Sequence, residues 1–390
     1  MSRNILPEPP AELKQLSDSL SDRIRAEIGL EGMIPFSRFM EMALYEPGLG
    51  YYSAGLHKLG ESGDFITAPE LGSLFAACLA RQVAEVAGLF GHYDIVEIGA
   101  GTGRLAADLL LELGPDRSPG RYRILERSAD LRKVQRELIA DAAPDFLDRV
   151  EWVDQPPDSG WRGVLLANEV LDALAVDRFR MGEHGPELLC VRDREGEFDW
   201  TSRTAEGPLK QAISHLESDT GTEFRTGYRS EINLAMQPWL DSVTCQLTRG
   251  LALFIDYGYP RREYYLPERS DGTLMCHYRH QAHDNAFFWP GLQDITAWVD
   301  FTGLAEAADA CRLEVEGYTS QAMFLLGCGL DRILIEHDDD NPGGRLDLNS
   351  QVRQLTLPDM MGERFKVMGL GRGLNAECSG FSLQDLRHRL

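Results

Sequence analysis

The stretch that decides the fold is Val96-Glu97-Ile98-Gly99-Ala100-Gly101-Thr102-Gly103. It follows an apolar run at 93–98 and precedes a helical pattern at 105–113. Glycines after a strand let the backbone turn tightly and come close to a ligand, and the free N–H groups of the next helix bind anionic groups. Dinucleotide-binding loops follow the spacing G-x-G-x-x-G, but here Arg104 stands where their third glycine would fall. The spacing therefore argues against a dehydrogenase.

Short apolar strands alternate with helical patterns along most of the chain. The predicted strands lie at 93–98, 122–125, 150–153, 164–167, 251–255, 313–315 and 365–367. Strands of this kind, separated by helices, form a parallel sheet that is covered on both faces. The sequence therefore predicts an α/β, Rossmann-like fold with a mainly parallel seven-stranded sheet and helices on both faces.

An acidic residue follows each of the next two strands. Glu126 comes directly after the strand at 122–125, where a carboxylate can accept hydrogen bonds from both hydroxyls of a ribose. Asp154 follows the strand at 150–153 and could meet an adenine amino group, although it could equally open a turn before Pro156. The glycine loop and these acids together predict a site for a nucleoside-containing cofactor.

The form E-x-G-x-G-x-G from Glu97 to Gly103 resembles motif I of class I methyltransferases, whose loop holds the methionine part of S-adenosylmethionine. Longer segments resemble one family of that class, the family of MidA and of the mitochondrial complex I assembly arginine methyltransferase. These segments are GYYSAG (50–55), GDFITAPELGSLFA (63–76), VEIGAGTGRLAADLL (96–110), NEVLDAL (168–174), FIDYGY (254–259), GTLMCHYRH (272–280) and PGLQDITAWVDF (290–301). The resemblance extends from about residue 30 to 330, and Ala175 replaces the proline that is usual in the family.

The resemblance implies a class I methyltransferase fold, S-adenosyl-L-methionine as cofactor, and methylation of an arginine in a protein. Residues 1–90 are expected to be a helical, glycine-rich segment that covers the cofactor. Residues 91–390 are expected to be the methyltransferase core, with a lobe inserted at about 175–248 and 258–300. The predicted cofactor-binding residues are Gly63, Asp64, Thr67, Pro69, Glu97, Gly99, Ala100, Gly101, Gly103, Glu126, Asp154 and Asn168.

Two carboxylates after the fourth strand are the predicted catalytic groups, together with Asn168. A guanidinium is always charged and is a poor nucleophile. Carboxylates that bind it draw the positive charge toward the nitrogens they contact and leave the remaining nitrogen richer in electrons. Glu169 and Asp172 are three residues apart, so a helical turn there would point both the same way. Capping of a helix start is the alternative role for these two acids.

The end of the fifth predicted strand supplies the predicted substrate contacts. Asp256 and Tyr257 stand there, directly before Gly258. The carboxyl ends of strands in α/β sheets commonly face ligands. A buried strand end with a structural tyrosine is the alternative.

Composition limits the partners. The net charge of −23 disfavours nucleic acid and would suit a basic protein segment, although solubility alone also explains it. No apolar run is long enough to span a membrane, and seven irregularly spaced cysteines indicate a reducing compartment, predicted to be the cytoplasm. The expected partner is a protein with an accessible arginine, and a homodimer stays open.

The sequence also contains a candidate metal site, and it leaves two alternatives to protein arginine methylation. His277, His280 and His283 could share a helix face beside Cys276, but the segment lacks acids at ligand spacing, so no metal is predicted. The alternative functions are a methyltransferase for small molecules or RNA, and a cofactor-binding assembly factor without turnover.

Overall fold

The computed structural model describes residues 6–54, 67–340 and 345–390. The helices are α1 Ala11–Glu31, α2 Phe36–Tyr45, α3 Leu74–Ala87, α4 Arg104–Arg117, α5 Ala129–Ala142, α6 Gly207–Thr220, α7 Met236–Thr244, α8 Arg261–Tyr264, α9 Phe301–Ala310, α10 Gln321–Gly327, α11 Leu330–Asp340 and α12 Arg345–Thr356. Short 3₁₀ helices lie at Ala68–Leu71, Pro144–Arg149, Ser379–Phe381 and Arg387–Arg389.

The strands include every strand that the sequence predicts. They are β1 Ile34–Pro35, β2 Asp94–Ile98, β3 Tyr122–Leu125, β4 Val150–Val153, β5 Trp161–Asn168, β6 Asp177–Gly182, β7 Gly185–Arg194, β8 Glu197–Thr204, β9 Arg229–Ile232, β10 Leu247–Tyr259, β11 Met275–Tyr278, β12 Gln281–His283, β13 Asp294–Thr296, β14 Val299–Asp300, β15 Glu314–Ser320 and β16 Phe365–Arg372.

The chain forms two compact units, each drawn from three stretches. The accessory unit consists of Met1–Phe65, Asp172–Met236 and Arg261–Trp298, and the sheet unit consists of Ile66–Leu171, Gln237–Pro260 and Val299–Leu390. This division differs from the linear boundary at residue 90, because the chain leaves the sheet after β5 and again after β10. Two of the accessory stretches, Asp172–Met236 and Arg261–Trp298, have nearly the same boundaries as the predicted insertions at 175–248 and 258–300.

The sheet unit contains the parallel sheet that the sequence predicts. Its strand order is β15-β16-β10-β5-β2-β3-β4. β10, β5, β2, β3 and β4 are mutually parallel, whereas β16 is antiparallel to both β10 and β15. Residues 250–256 of β10 are all buried, as expected for a strand that is covered on both faces.

The predicted number of seven strands is wrong, because eight strands join this sheet within the described residues. The additional strand is β14, a two-residue segment that pairs in parallel with the end of β10, where Gly258 lies opposite Val299. Two residues are too few to show an alternating pattern, so only the tertiary pairing reveals this strand.

The accessory unit is built on antiparallel strands and the first two helices. Over the described part of the unit, β1, β7, β6, β9 and β8 form one sheet, and β12, β11 and β13 form another. Phe39 packs its ring edge-to-face on Phe198 and Phe287, with centroids 5.5 Å and 5.2 Å apart. Phe39 belongs to one buried cluster with Leu20 and Ile24 of α1, and the other two rings are partly buried against it, so the N-terminal helices are part of this core.

In the part of the chain that the structure describes, every helix is too short or too polar to cross a membrane.

Candidate active site

The glycine loop has a backbone that only glycine adopts easily. Gly99, Gly101 and Gly103 have φ angles of 65°, 57° and 90°, a region that disfavours residues with a Cβ atom. A Cβ atom on Gly103 would lie 3.1 Å from the Cα atom of Gln135, and one on Gly99 would lie 3.2 Å from Val170 Cγ2. The loop therefore needs glycine at these positions, and it leads directly into the start of α4, where helix N–H groups can bind an anionic group.

Glu126 is held in one orientation after β3. Its Oε1 atom accepts from the Ser128 N–H at 2.8 Å, and its Oε2 atom accepts from Gln135 Nε2 at 3.2 Å. Burial raises the pKa of Glu126, while the hydrogen bonds from Ser128 and Gln135 act in the opposite direction. A half-buried carboxylate fixed in this way can receive further hydrogen bonds from a vicinal diol.

Glu97 and Ala100 lie inside the core rather than at the surface of the loop. The Glu97 carboxyl is buried on β2, and its Oε2 atom accepts from the Tyr122 hydroxyl at 2.7 Å. Burial raises the pKa of Glu97 to about 7, although the bond from Tyr122 lowers it. Since this carboxyl is already bonded to Tyr122 beneath the loop, it supports the loop from below.

Stability is expected to depend on pH through Glu97. The pKa of this carboxyl is about 7 in the folded protein and about 4.3 in an unfolded chain. The folded state therefore binds the proton more tightly, and the free energy of unfolding falls as pH rises from about 5 to 7. Glu97→Gln removes this titration, so relative to wild type the variant gains about 3 kcal/mol between pH 5 and pH 8. Denaturant unfolding of both proteins at these pH values measures the gain, and a constant difference would contradict it.

One wall of the glycine loop comes from the segment before α3. Pro69 is buried in the 3₁₀ helix that follows Thr67. Glu70 Oε1 accepts from the Thr102 hydroxyl at 2.5 Å, which joins this helix to the loop. The predicted contacts Gly63 and Asp64 lie outside the described residues.

The other predicted cofactor contacts lie at strand ends of the same unit. Asp154 is exposed after β4. Asn168 ends β5 and donates through Nδ2 to Glu169 Oε1 at 3.1 Å. Its Oδ1 atom is buried and has no hydrogen-bond partner among the described residues. A buried acceptor of this kind is costly unless a ligand supplies a donor.

Glu169 has a left-handed backbone, with φ of 53°. Its N–H group donates to the Ile255 carbonyl at 2.9 Å, and the residues that follow form a bend and a turn. The helical turn considered for Glu169 and Asp172 therefore does not form. Left-handed backbone at a non-glycine residue costs free energy and persists only where the surrounding structure holds it.

Asp256 anchors this bend and does not extend outward as a substrate contact. Its Oδ2 atom accepts from the Val170 and Leu171 N–H groups at 3.2 Å and 2.9 Å, and its Oδ1 atom accepts from the Tyr257 N–H at 2.9 Å. The carboxylate is fully buried. The Tyr257 ring packs edge-to-face on Phe365, with centroids 5.5 Å apart. The buried strand end, which the sequence left as the alternative, describes Asp256, whereas the half-buried Tyr257 stays a predicted substrate contact.

Asp256→Asn is expected to lower the free energy of unfolding by about 3 kcal/mol, because an amide group would face backbone donors in place of a carboxylate oxygen. Turnover should fall as well, since the bend that carries Glu169 loses its anchor. Asp300→Asn is the control: Asp300 caps α9 by accepting from the Thr302 N–H at 3.1 Å, and asparagine caps helices equally well. Equal stability losses in both variants, measured by denaturant unfolding, would contradict the anchoring role.

Asp172 belongs to the accessory unit, where it and Asp294 are buried acids near the less buried rings of Tyr52 and Tyr45. The Tyr52 hydroxyl donates to Asp294 Oδ1 at 2.9 Å. Burial, and then the charges of Asp294 and Asp172, raise the pKa of Tyr52. Tyr45 stacks on Tyr52 with centroids 5.6 Å apart. Carboxylates beside aromatic rings complement a planar cation.

Thr296 adds a polar atom to the face of β13 on which Asp294 lies. It stands two residues after Asp294 on β13, and residues at this spacing point to one face of a strand. Its buried Oγ1 atom has no partner within the described residues. A polar ligand could supply one.

The histidine segment forms a hairpin and not a helix. His277 lies on β11 and His283 on β12, with His283 opposite Cys276. Arg279 and His280 turn the chain with positive φ angles. Within the described ranges, no three His, Cys, Asp or Glu side chains are placed to hold a metal ion.

Sequence reasoning missed three residues. Gln135 carried no local signal, because a glutamine in an amphipathic helix normally faces solvent. Tyr52 and Asp294 lie inside the matching segments GYYSAG and PGLQDITAWVDF, and that match was the signal that could have singled them out.

The sheet unit thus offers the groups that bind an amino acid joined to a nucleoside. The loop N–H groups suit a carboxylate, and the Glu126 carboxylate suits ribose hydroxyls. The unpartnered Asn168 Oδ1 atom suits an N–H donor. These are the polar groups of S-adenosylmethionine.

Comparisons with known proteins agree with this geometry. A family model of S-adenosyl-L-methionine-dependent methyltransferases matches residues 78–319. A crystal structure from Burkholderia thailandensis, described as a methyl transferase bound to S-adenosyl-homocysteine, is 40% identical with a TM-score of 0.93, and the match covers 99% of this chain and 100% of that one. A second structure from the same organism has a TM-score of 0.90 at the same identity and coverage.

Curated relatives cover nearly the whole chain at lower identity. The mitochondrial protein arginine methyltransferase NDUFAF7 of Danio rerio is 28% identical over 91% of this chain and 87% of its own length. The mitochondrial homologue of Drosophila melanogaster is 26% identical over 95% of this chain and 90% of its own length.

The predicted cytoplasmic location is wrong by this comparison, because these relatives are named mitochondrial. The seven cysteines are free in the structure. Irregularly spaced cysteines therefore did not distinguish the cytoplasm from another reducing compartment.

Proposed function

Because this chain belongs to the family of S-adenosyl-L-methionine-dependent methyltransferases, we propose that it transfers the methyl group to an arginine side chain of a protein. The family and the cofactor predicted from the sequence are both confirmed. The names of the curated relatives support arginine as the acceptor. The observation that carries the proposal is the Glu169 carboxylate, which a left-handed backbone holds at the carboxyl end of the parallel sheet.

The sheet unit holds the cofactor. When bound, S-adenosylmethionine supplies a methyl group on a sulfonium, which a nucleophile displaces in line. The N–H groups of the glycine loop would receive its carboxylate, and Glu126 would accept from its ribose hydroxyls. Asn168 Oδ1 would accept from a donor of the cofactor or the substrate, which would remove the cost of an unpartnered buried acceptor.

Glu169 orients and activates the arginine in this proposal. Its carboxylate binds two N–H groups of the guanidinium and draws the positive charge toward those nitrogens. The remaining nitrogen keeps more of its electron density and would form a bond to the methyl carbon as the carbon–sulfur bond breaks. The thioether S-adenosylhomocysteine would then leave, and the extra proton of the methylated nitrogen would pass to solvent. Asn168 Nδ2 holds Glu169 Oε1, and Asp256 fixes the two residues that follow Glu169, so the side chain has little freedom to rotate. Such positioning is the main requirement of a displacement that needs little acid–base assistance.

The accessory unit supports a cationic acceptor. The charges of Asp294 and Asp172 both raise the pKa of the Tyr52 hydroxyl, and the ring of Tyr45 stacks on Tyr52. A guanidinium prefers this combination of carboxylates and aromatic faces, whereas a neutral small molecule gains little from it. These groups make the accessory unit suited to a cationic side chain, and the net charge of −23 favours a basic protein segment.

A label-transfer experiment tests the proposal. The protein is incubated with S-adenosylmethionine labelled on the methyl group and with proteins extracted from its own cells, with and without excess S-adenosylhomocysteine. Labelled proteins are then hydrolysed to amino acids. We expect label in methylarginine, and its loss in the presence of S-adenosylhomocysteine. Label in another amino acid, in RNA or in small molecules would overturn the choice of acceptor, and cofactor binding without any transfer would indicate an assembly factor.

A further inference from the structure

The buried amide of Gln135 connects three parts of the cofactor site. Gln135 lies on α5 and is fully buried. Its Nε2 atom donates to the Gly101 carbonyl at 2.9 Å and to Glu126 Oε2 at 3.2 Å, and its Oε1 atom accepts from Trp152 Nε1 at 2.9 Å. One side chain therefore joins the glycine loop, the acid after β3 and a tryptophan of β4.

We propose that Gln135 is a positioning residue that sets the Glu126 carboxylate for the ribose hydroxyls of the cofactor and joins it to the glycine loop. The inference concerns cofactor recognition alone and holds whichever substrate is methylated.

The amide has a single favourable orientation. Both N–H bonds of Nε2 are used, because an amide nitrogen has two donors and each meets an acceptor. A flipped amide would place its oxygen against the Gly101 carbonyl and the Glu126 carboxylate, and its NH₂ group against the indole donor of Trp152. Three pairs of like groups would then face each other in a buried site, which is strongly unfavourable.

This fixed amide leaves Glu126 with suitable free positions. The Ser128 N–H donates to Oε1 and the Gln135 amide donates to Oε2, while a hydrogen bond from the Arg127 backbone also favours the charged carboxylate. Each carboxylate oxygen has two lone pairs, so the carboxylate can still accept from neighbouring hydroxyls. A terminal carboxylate torsion is broad when nothing holds it, so loss of the Gln135 bond would let these accepting positions rotate away.

The same residue supports the loop that binds the other end of the cofactor. The Gly101 carbonyl points to the Gln135 amide, and a Cβ atom on Gly103 would lie 3.1 Å from the Gln135 Cα atom. The loop thus packs directly on α5 at this position. A change at Gln135 should therefore affect ribose recognition and the loop together.

Substitution combined with ligands that lack one hydroxyl tests the role. Binding of S-adenosylhomocysteine and of its 2′-deoxy and 3′-deoxy analogues is measured by calorimetry on the full chain. In wild type we expect each missing hydroxyl to weaken binding about 10- to 100-fold, as for hydrogen bonds to a charged group. In Gln135→Met we expect weaker binding of S-adenosylhomocysteine and a penalty for the missing hydroxyl of less than about 3-fold.

Gln82→Met is the matched control. Gln82 is also fully buried in the sheet unit, where its amide donates to Glu85 Oε2 at 3.0 Å and accepts from the Gly380 N–H at 3.0 Å. Its partners are not residues of the cofactor site. This variant should lose stability and keep the full hydroxyl penalty.

A milder variant keeps the test valid if Gln135→Met does not fold. Trp152→Phe removes the donor to Gln135 Oε1 and keeps a ring for Arg136, whose guanidinium lies 4.2 Å from the Trp152 ring centroid. We expect a hydroxyl penalty between those of wild type and Gln135→Met. A wild-type penalty in every folded variant at these two positions would overturn the proposal, and so would an equal reduction in Gln82→Met.

Discussion

Gly103→Val is expected to weaken binding of S-adenosylmethionine and S-adenosylhomocysteine by at least about 100-fold. Valine is strongly disfavoured at the φ of 90° that this residue has. Its Cβ atom would also lie 3.1 Å from the backbone of α5, so the loop, the helix or both must shift. Either movement displaces the N–H groups that receive the cofactor carboxylate. Calorimetric titration with both ligands measures the effect.

Gly196→Val separates this effect from backbone strain alone. Gly196 has a φ of 88° in the turn between β7 and β8, and a Cβ atom there would have no atom within 4 Å. Both variants carry the same strain, about 1–2 kcal/mol, but only Gly103→Val should lose cofactor binding. Unchanged affinity in Gly103→Val would exclude the loop as the cofactor site, and equal losses in both would indicate an effect through stability.

Glu169→Gln is expected to reduce turnover about 1,000-fold while the affinity for S-adenosylmethionine changes less than about twofold. The amide has the shape of the carboxylate, so the left-handed backbone and the contact with Asn168 can persist. It lacks the negative charge that draws the guanidinium charge away from the attacking nitrogen. Single-turnover methylation and calorimetry on the same preparation measure the two quantities.

Glu195→Gln is the matched control for this variant. Glu195 also has a left-handed backbone, with φ of 56°, but it is exposed at a hairpin turn. The turnover of the Glu195→Gln variant should equal that of wild type. If Glu169→Gln kept full turnover, the proposal that Glu169 binds and orients the guanidinium would be wrong. Another group would then have to orient the acceptor.

Much of the sheet unit was predictable because its signals are local. The alternation of strands and helices indicates a parallel sheet, and glycines mark the positions where a loop needs positive φ. The acid after β3 follows from its place at a strand end. Gln135 was not predictable, since its burial depends on β4 and the glycine loop meeting α5, and no short window of sequence contains all three.

The roles of the acids after β5 were only partly accessible. Their position at the carboxyl end of the sheet follows from the strand pattern. The left-handed φ of Glu169 does not, because the local pattern of acids three residues apart favours a helical turn. The backbone is instead held by Asp256, which is distant in the chain and reaches Val170 and Leu171 only because β10 lies beside β5.

By itself the sequence determined the parallel sheet, the glycine loop and the acid that follows β3, since each depends on residues adjacent in the chain. Only the tertiary structure decided that Asp256 anchors a bend, that β14 adds an eighth strand among the described residues, and that three separate stretches form the accessory unit. The physical reason is that these features arise from contacts between segments far apart in the chain. Such contacts depend on which elements pack together. The periodicity of one segment predicts whether it forms a helix or a strand, but it does not show which other segment it will pack against.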